Sequence, residues 1–146
     1  MVDEKKPKRI PVNADLLTEP MDKLEDVRMR GTHCRQCDEV FFGRSASCEN
    51  CCSEDVEEIT LSNRGKLYTY TIIENPPPGD FMGPKDPFIP FGEGLVELPE
   101  GVSVIAPLTV NKNEDIKIGM DLELVAYKLY DDEDGNEVIA FKFKPV

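Results

Sequence analysis

The chain has 146 residues, of which 40% are hydrophobic, and 29 acidic side chains face 17 basic ones. That length holds one ordinary domain or two very small ones with a modest core, so an added staple is expected. Both parts are acidic, with 9 Lys and Arg against 14 Asp and Glu in residues 1–60 and 8 against 15 in residues 61–146, which argues against a general nucleic-acid surface.

Residues 1–13 read as a disordered tail: charged, broken by Pro7 and Pro11, and without periodicity. Lys5, Lys6, Lys8 and Arg9 form the one basic cluster there, expected to be solvated. The first residues are charged and show no apolar signal-peptide core, and no apolar run approaches the roughly 20 residues of a membrane span, so a soluble, cytoplasmic protein is expected.

Residues 14–31, "ADLLTEPMDKLEDVRMRG", predict a short helix. Thr18 or Glu19 can cap it, Pro20 suits its first turn and Gly31 its end. Met21, Leu24 and Val27 recur every three residues and give it one apolar stripe, to be packed on its own domain or covered by a partner.

Residues 32–60 hold all five cysteines and the only histidine. Cys34/Cys37 and Cys48/Cys51 form two Cys-x-x-Cys pairs with ten residues between them. In a reducing compartment such pairs favour metal over disulfide. Zn²⁺ takes four ligands in a tetrahedron with Zn–S near ~2.3 Å, which places the sulfurs roughly 3.8 Å apart. Two Cys-x-x-Cys turns supply all four corners, the layout of a zinc ribbon. Iron in a rubredoxin-like site is the competing assignment, and zinc is preferred because this ribbon is an appendage to a larger domain. Cys52 and His33 each sit beside a ligand and are read as bystanders. Four thiolates close the coordination shell, so the metal is expected to fold the chain and to do no chemistry.

From residue 61 the pattern becomes strands. "GKLYTYTII", "GEGLVEL", "GVSVIAPLTV", "MDLELVAY" and "EVIAFKF" are separated by turn signals at 99–101, 112–115 and 132–136. Pro107 marks an edge or bulged position. Five short strands without a helix long enough for a βαβ unit predict a small barrel over residues 61–146, of which a five-stranded OB-fold is the best-known kind. "DDEDGNE" at 131–137 reads as an acidic hairpin turn, since it lacks the full spacing of a calcium loop. Between the first two strands lies a long loop holding six of the twelve prolines, with Phe81, Met82, Phe88, Ile89 and Phe91. So much apolar surface on a stiff loop is either folded back or covered by a partner. No nucleophile–base pair and no phosphate loop is present, so the chain is not expected to be catalytic alone.

The predicted helix, "CRQC…CENC", "LSNRGKLYTYTII", "PFIPFGEGLVELPEGV" and "IGMDLELVAY…FKFKPV" together resemble the zinc-ribbon plus OB-fold proteins associated with acyl-CoA metabolism, across nearly all of residues 15–146. The resemblance implies a mainly β chain: a short N-terminal helix, a rubredoxin-like zinc ribbon and an OB-fold. It implies a small subunit in a hetero-oligomer with a thiolase-like catalytic partner, aiding assembly and acyl-CoA binding. Within the family the pattern points towards anaerobic aromatic (toluene) degradation. It places structural Zn²⁺ on Cys34, Cys37, Cys48 and Cys51. For a CoA thioester ligand, Arg44, Arg64, Lys66 and Lys85 are the candidates to meet the phosphates. Two departures stand out: Gly43 precedes Arg44 where the family often has Pro, and Cys52 follows the last ligand where it often has Gly. The alternative reading is a single-stranded nucleic-acid-binding module, which needs a basic groove with stacking aromatics. Tyr68 and Tyr70 could stack, but the strands carry few cations.

Overall fold

In a computed structural model, residues 8–79 and 87–146 are described. Nine strands follow in chain order: β1 (Arg9–Pro11), β2 (Arg30–Cys34), β3 (Val40–Phe42), β4 (Val56–Thr60), β5 (Arg64–Ile73), β6 (Phe91–Glu97), β7 (Ser103–Pro107), β8 (Asp121–Asp131) and β9 (Glu137–Pro145). They form a three-stranded sheet ordered β3-β2-β4 and a six-stranded sheet ordered β1-β9-β8-β5-β6-β7.

The larger sheet curls into an OB-type barrel. Alternating residues of β6 and β7 are buried, as half-buried strands require. The ring closes where the chain leaves β7 at Pro107: Leu108 bridges Phe143 in parallel, and the Thr109 N–H donates to the Phe143 carbonyl at 2.9 Å. Pro107 thus ends its strand where a ladder donor is no longer needed. Phe143, Leu67, Val96, Leu122 and Ile139 fill the interior. Gly65 allows β5 and β6 to meet at the barrel corner, because a Cβ there would lie 2.5 Å from the Glu97 carbonyl oxygen.

The helix expected over residues 14–31 is not formed. The segment wraps the barrel in extended form, with only one 3-10 turn at Leu24–Asp26. Its backbone is engaged across the segment: Leu17 bridges Met29, and the Thr18 N–H donates to the Arg28 carbonyl at 2.9 Å. The Arg28 N–H in turn donates to the Thr18 hydroxyl at 2.9 Å. These pairings take up groups that a helix would need. The apolar stripe nonetheless faces inward, for Met21 and Val27 join the core and Leu24 packs against it.

The tail read as disordered through residue 13 also needs correction. Arg9–Pro11 runs parallel to Glu137–Ile139 as the outermost strand. Arg9 holds it there, donating to the carbonyls of Met21 (3.2 Å) and Asp22 (2.7 Å) and lying 3.3 Å from Glu137 Oε2. Pro11 is tolerated because the strand is an edge. Phe81, Met82 and Lys85 lie outside the described residues. Of the rest of that loop, Phe88 meets Phe91 edge-on with centroids 6.2 Å apart, and Ile89 is exposed.

The small sheet leans on the barrel through Phe42, whose ring meets Phe141 edge-on at 5.8 Å. At the junction the Leu61 N–H donates to the Met29 carbonyl, the Ser62 N–H to the Glu100 carboxylate, and the Leu124 N–H to the Asn63 carbonyl. In the 132–136 turn, Asp132 Oδ1 accepts from the backbone N–H groups of Asp134 (3.0 Å) and Asn136 (2.7 Å), while Oδ2 accepts from the Asn136 side chain at 3.1 Å. This carboxylate is occupied in holding a hairpin turn.

Candidate metal centre

Two local turns of near-identical construction bring the four cysteines together. Cys34 ends β2, its N–H donates to the Glu39 carbonyl at 2.9 Å, and its carbonyl accepts from Asp38 N–H at 2.9 Å. In the second turn the Cys48 N–H donates to the Ser53 carbonyl at 2.8 Å, and its carbonyl accepts from Cys52 N–H at 3.0 Å. Backbone N–H groups also point at sulfur, from Cys37 to Cys34 Sγ (3.4 Å) and from Asn50 and Cys51 to Cys48 Sγ (both 3.3 Å). Such donors favour the thiolate.

The four Sγ atoms lie within 4.8 Å of one another, with Cys34–Cys51 at 3.6 Å and Cys37–Cys48 at 3.5 Å. Those spacings suit a tetrahedron of thiolates on one metal ion, whose edges measure roughly 3.8 Å. Cys34 and Cys48 are buried at 0% and 2% exposure, and Cys51 reaches the surface.

Protonation supports the same conclusion. The Glu39 N–H, with the Asn50 amide and the neighbouring Cys48 and Cys34 thiols, pulls Cys37 down to about 7. At Cys51 the Ser53 N–H acts in that direction too but is outweighed, and lost hydration plus the Cys34, Cys48 and Cys37 thiols push it up to about 12. Cys51 is exposed on its outer side, so the crowding thiols are the cause we assign. Four thiols this close cannot all ionise unless a cation sits among them.

A polar brace surrounds the turns. The hydroxyl of Thr32, a buried residue of β2, donates to the Gly43 carbonyl at 2.7 Å and accepts from the Ser45 N–H at 3.0 Å. His33 does not reach the sulfurs. Its Nε2 lies 2.6 Å from Asp38 and its Nδ1 2.7 Å from Glu57, which raise its pKa in that order. Arg35 spans Asp55 at 3.0 Å and Glu57 at 3.2 Å. Thr32 and this carboxylate network were not singled out from the sequence, because apart from Asp38 their partners lie 11 to 24 residues away in the chain and no spacing links them.

The basic residues are less well gathered. Arg44 pairs with Asp15 (3.0 Å), Arg64 with Glu123 (3.5 Å) and Lys66 with Asp121 (3.0 Å). Arg64 and Lys66 line one groove of about 700 Å³ together with Tyr68, Leu98, Ile118 and Val146. Arg44 belongs to the cysteine-bearing part, and Lys85 is outside the described residues.

A cluster of four cysteines on two matched turns, joined to an OB-type barrel, defines a class of small β proteins. Sequence comparison places the chain within it. It is 37% identical over 123 residues to a DUF35 domain-containing scaffold protein of Pyrococcus furiosus, covering 84% of this chain and 86% of that one. The chain belongs to the DUF35 family. The profile of the ChsH2 C-terminal OB-fold domain matches residues 58–126. Benzoylsuccinyl-CoA thiolase subunit BbsA of Thauera aromatica is 29% identical over 143 residues, covering 98% of this chain and 93% of that one. Among solved structures, the Ltp2-ChsH2(DUF35) aldolase aligns with a TM-score of 0.59 and 25% identity, over 81% of this chain and 84% of that one.

Proposed function

We propose that this chain is a non-catalytic subunit of a thiolase-like complex that makes or breaks C–C bonds in CoA thioesters. The observation that carries the reading is the closed cysteine site. Four thiolates on one ion leave no coordination position for substrate, so the metal serves the fold. Zn²⁺ is the ion we assign, on Cys34, Cys37, Cys48 and Cys51. End-to-end similarity to a protein named as a thiolase subunit supports the association. Chemistry then resides on a catalytic partner in a cytoplasmic hetero-oligomer.

Acyl-CoA binding is the finer part of the proposal. Arg64 and Lys66 border the groove and would release Glu123 and Asp121 to meet CoA phosphates, with Lys85 and Arg44 as further candidates. The acyl group we assign is aromatic, of the benzoylsuccinyl kind met in anaerobic toluene degradation. The nucleic-acid reading is not favoured, since the chain carries a net charge of -12 and the groove lining offers two cations, Arg64 and Lys66, beside Glu97 and Asp121, too few to track a phosphate backbone.

The test is affinity purification of the full chain from its native host, with mass spectrometry and metal analysis. A stoichiometric thiolase-like partner and about one zinc per chain are expected. A monomer without such a partner would overturn the subunit reading, and a red, iron-bearing protein would overturn the zinc assignment. Turnover of benzoylsuccinyl-CoA by the complex, against a short aliphatic β-ketoacyl-CoA, decides the acyl group.

A further inference from the structure

We propose that the outer edge of β5 from Thr69 to Ile73, with the groove that adjoins it at Tyr68, docks an extended, basic segment of another protein by adding a strand to the barrel. The inference rests on the subunit reading and names the surface through which that subunit is held.

β5 is paired on both sides only at its start. Arg64, Gly65 and Lys66 face Glu123, Leu122 and Asp121 of β8, and the Leu67 N–H donates to the Met120 carbonyl at 3.0 Å. The last bond on that side is the Gly119 N–H to the Leu67 carbonyl, 2.7 Å. The register then shifts between Leu67 and Thr69, and Thr69–Ile73 pairs with Leu95–Phe91 of β6 alone. In an antiparallel pair alternate residues turn their N–H and C=O away from the partner strand. Among the described residues no backbone or side-chain group takes up those outward bonds.

The edge has a register shift at its start, between Leu67 and Thr69, but no guarding side chains along its length. Its residues are Thr, Tyr, Thr, Ile and Ile, without Lys, Pro or an inward charge. Natural sheets normally blunt an open edge with such residues, because an unprotected one templates pairing with another chain. Beside its start lies the groove. Tyr68, Ile118 and Val146 are 60%, 61% and 65% exposed there and offer apolar contact to a side chain of the incoming strand, which leaves the Arg64 and Lys66 border of the same groove to the phosphates assigned to it above.

Charge selects the occupant. A second copy of this chain would bring its own net charge of -12 against the same charge. Glu93, the cross-strand neighbour of Thr71, and Glu74, next after the strand, have no ion-pair partner among the described residues. The turn at Asn113–Asp115 and its flanks are balanced, with Glu114 and Asp115 against Lys112 and Lys117. An incoming strand with Lys or Arg on the Glu93 face meets complementary charge.

The experiment uses the full chain with the catalytic partner recovered from the host. Hydrogen exchange is followed in the free chain and in the complex, and affinity is measured for Thr69→Lys/Thr71→Lys and Thr69→Glu/Thr71→Glu. Both threonines are exposed, so the variants are expected to fold, checked by circular dichroism and metal content. Expected are new protection of alternate amides within 69–73 on complex formation, affinity weakened about tenfold or more by the lysine pair, and affinity held or raised by the glutamate pair. A complex that forms while 69–73 stays unprotected and both variants bind alike overturns the docking edge and leaves the subunit reading standing. No complex at all overturns both. Protection of 69–73 accompanied by dimerisation of this chain alone overturns the assignment of a foreign strand.

Discussion

Asp38 and Cys52 occupy equivalent places, each following the second cysteine of its turn, and both adopt the left-handed backbone conformation, with φ of 67° and 63°. Each N–H closes its turn on the carbonyl of the first cysteine. The same geometry built twice is what lets two separate chain segments present sulfurs to one point. Glycine suits this conformation best, and Asp tolerates it better than Cys does.

Replacing Cys52 with Gly is therefore expected to stabilise the metal-loaded protein. Relief of the left-handed strain outweighs the added freedom of the unfolded chain by roughly 0.5–1 kcal/mol. Thermal unfolding of Cys52→Gly at fixed metal content measures this, and the four sulfurs are untouched. Asp38→Gly should gain less, because it also loses the 2.6 Å contact to His33.

Removing the metal should loosen one end of the molecule before the other. Cys34→Ser or a strong chelator is expected to abolish stoichiometric zinc and the exchange protection of β2, β3 and β4. The barrel strands β5–β9 have their own buried core and should keep theirs. Uniform loss of protection across both sheets would show that the barrel depends on the metal.

Thr32→Val keeps the side-chain shape and removes the hydroxyl that joins Gly43 to Ser45. Leaving those groups without their partner in a buried setting is expected to cost about 1–3 kcal/mol. Denaturant unfolding at saturating zinc reads the loss, and zinc affinity should weaken because the connection to the second turn is freed.

Asp132 supplies a pH dependence. Its carboxyl is held below its ordinary pKa first by the Asn136 backbone N–H, then by the Asn136 side chain and the N–H groups of Asp134 and Gly135. The folded pKa is lower than the unfolded one. The stabilisation is thus present in full above the ordinary carboxylate range and is lost as pH falls through the lowered folded value. The melting-temperature gap between wild type and Asp132→Asn should be largest near neutrality and shrink progressively as the pH falls below the ordinary carboxylate value of about 4.

Local features were the most readable in the sequence. The two Cys-x-x-Cys pairs predict a four-thiol cluster from spacing alone, since each turn is built within a few residues. The turn at 132–136 is legible for the same reason, Asp, Gly and Asn standing together. The segment at 14–31 misled because an apolar residue every third position suits a helix and also suits an extended strap whose side chains dip into a core. Its cross-bridge between Leu17 and Met29 leaves no mark on local composition. Arg9 was hidden likewise: its partners Met21, Asp22 and Glu137 lie far along the chain.

By itself the sequence determined the four-cysteine cluster, the prevalence of strands and the acidic character, for these follow from residue type and short-range spacing. Only the tertiary structure decided that the tail becomes an edge strand, that Arg64 and Lys66 share a groove from which Arg44 is absent, and that β5 runs past its partner with one side open. Those outcomes depend on which distant backbones meet. Hydrogen-bond pairing and ring closure settle that over the whole chain, and the side chains of any single segment do not encode it.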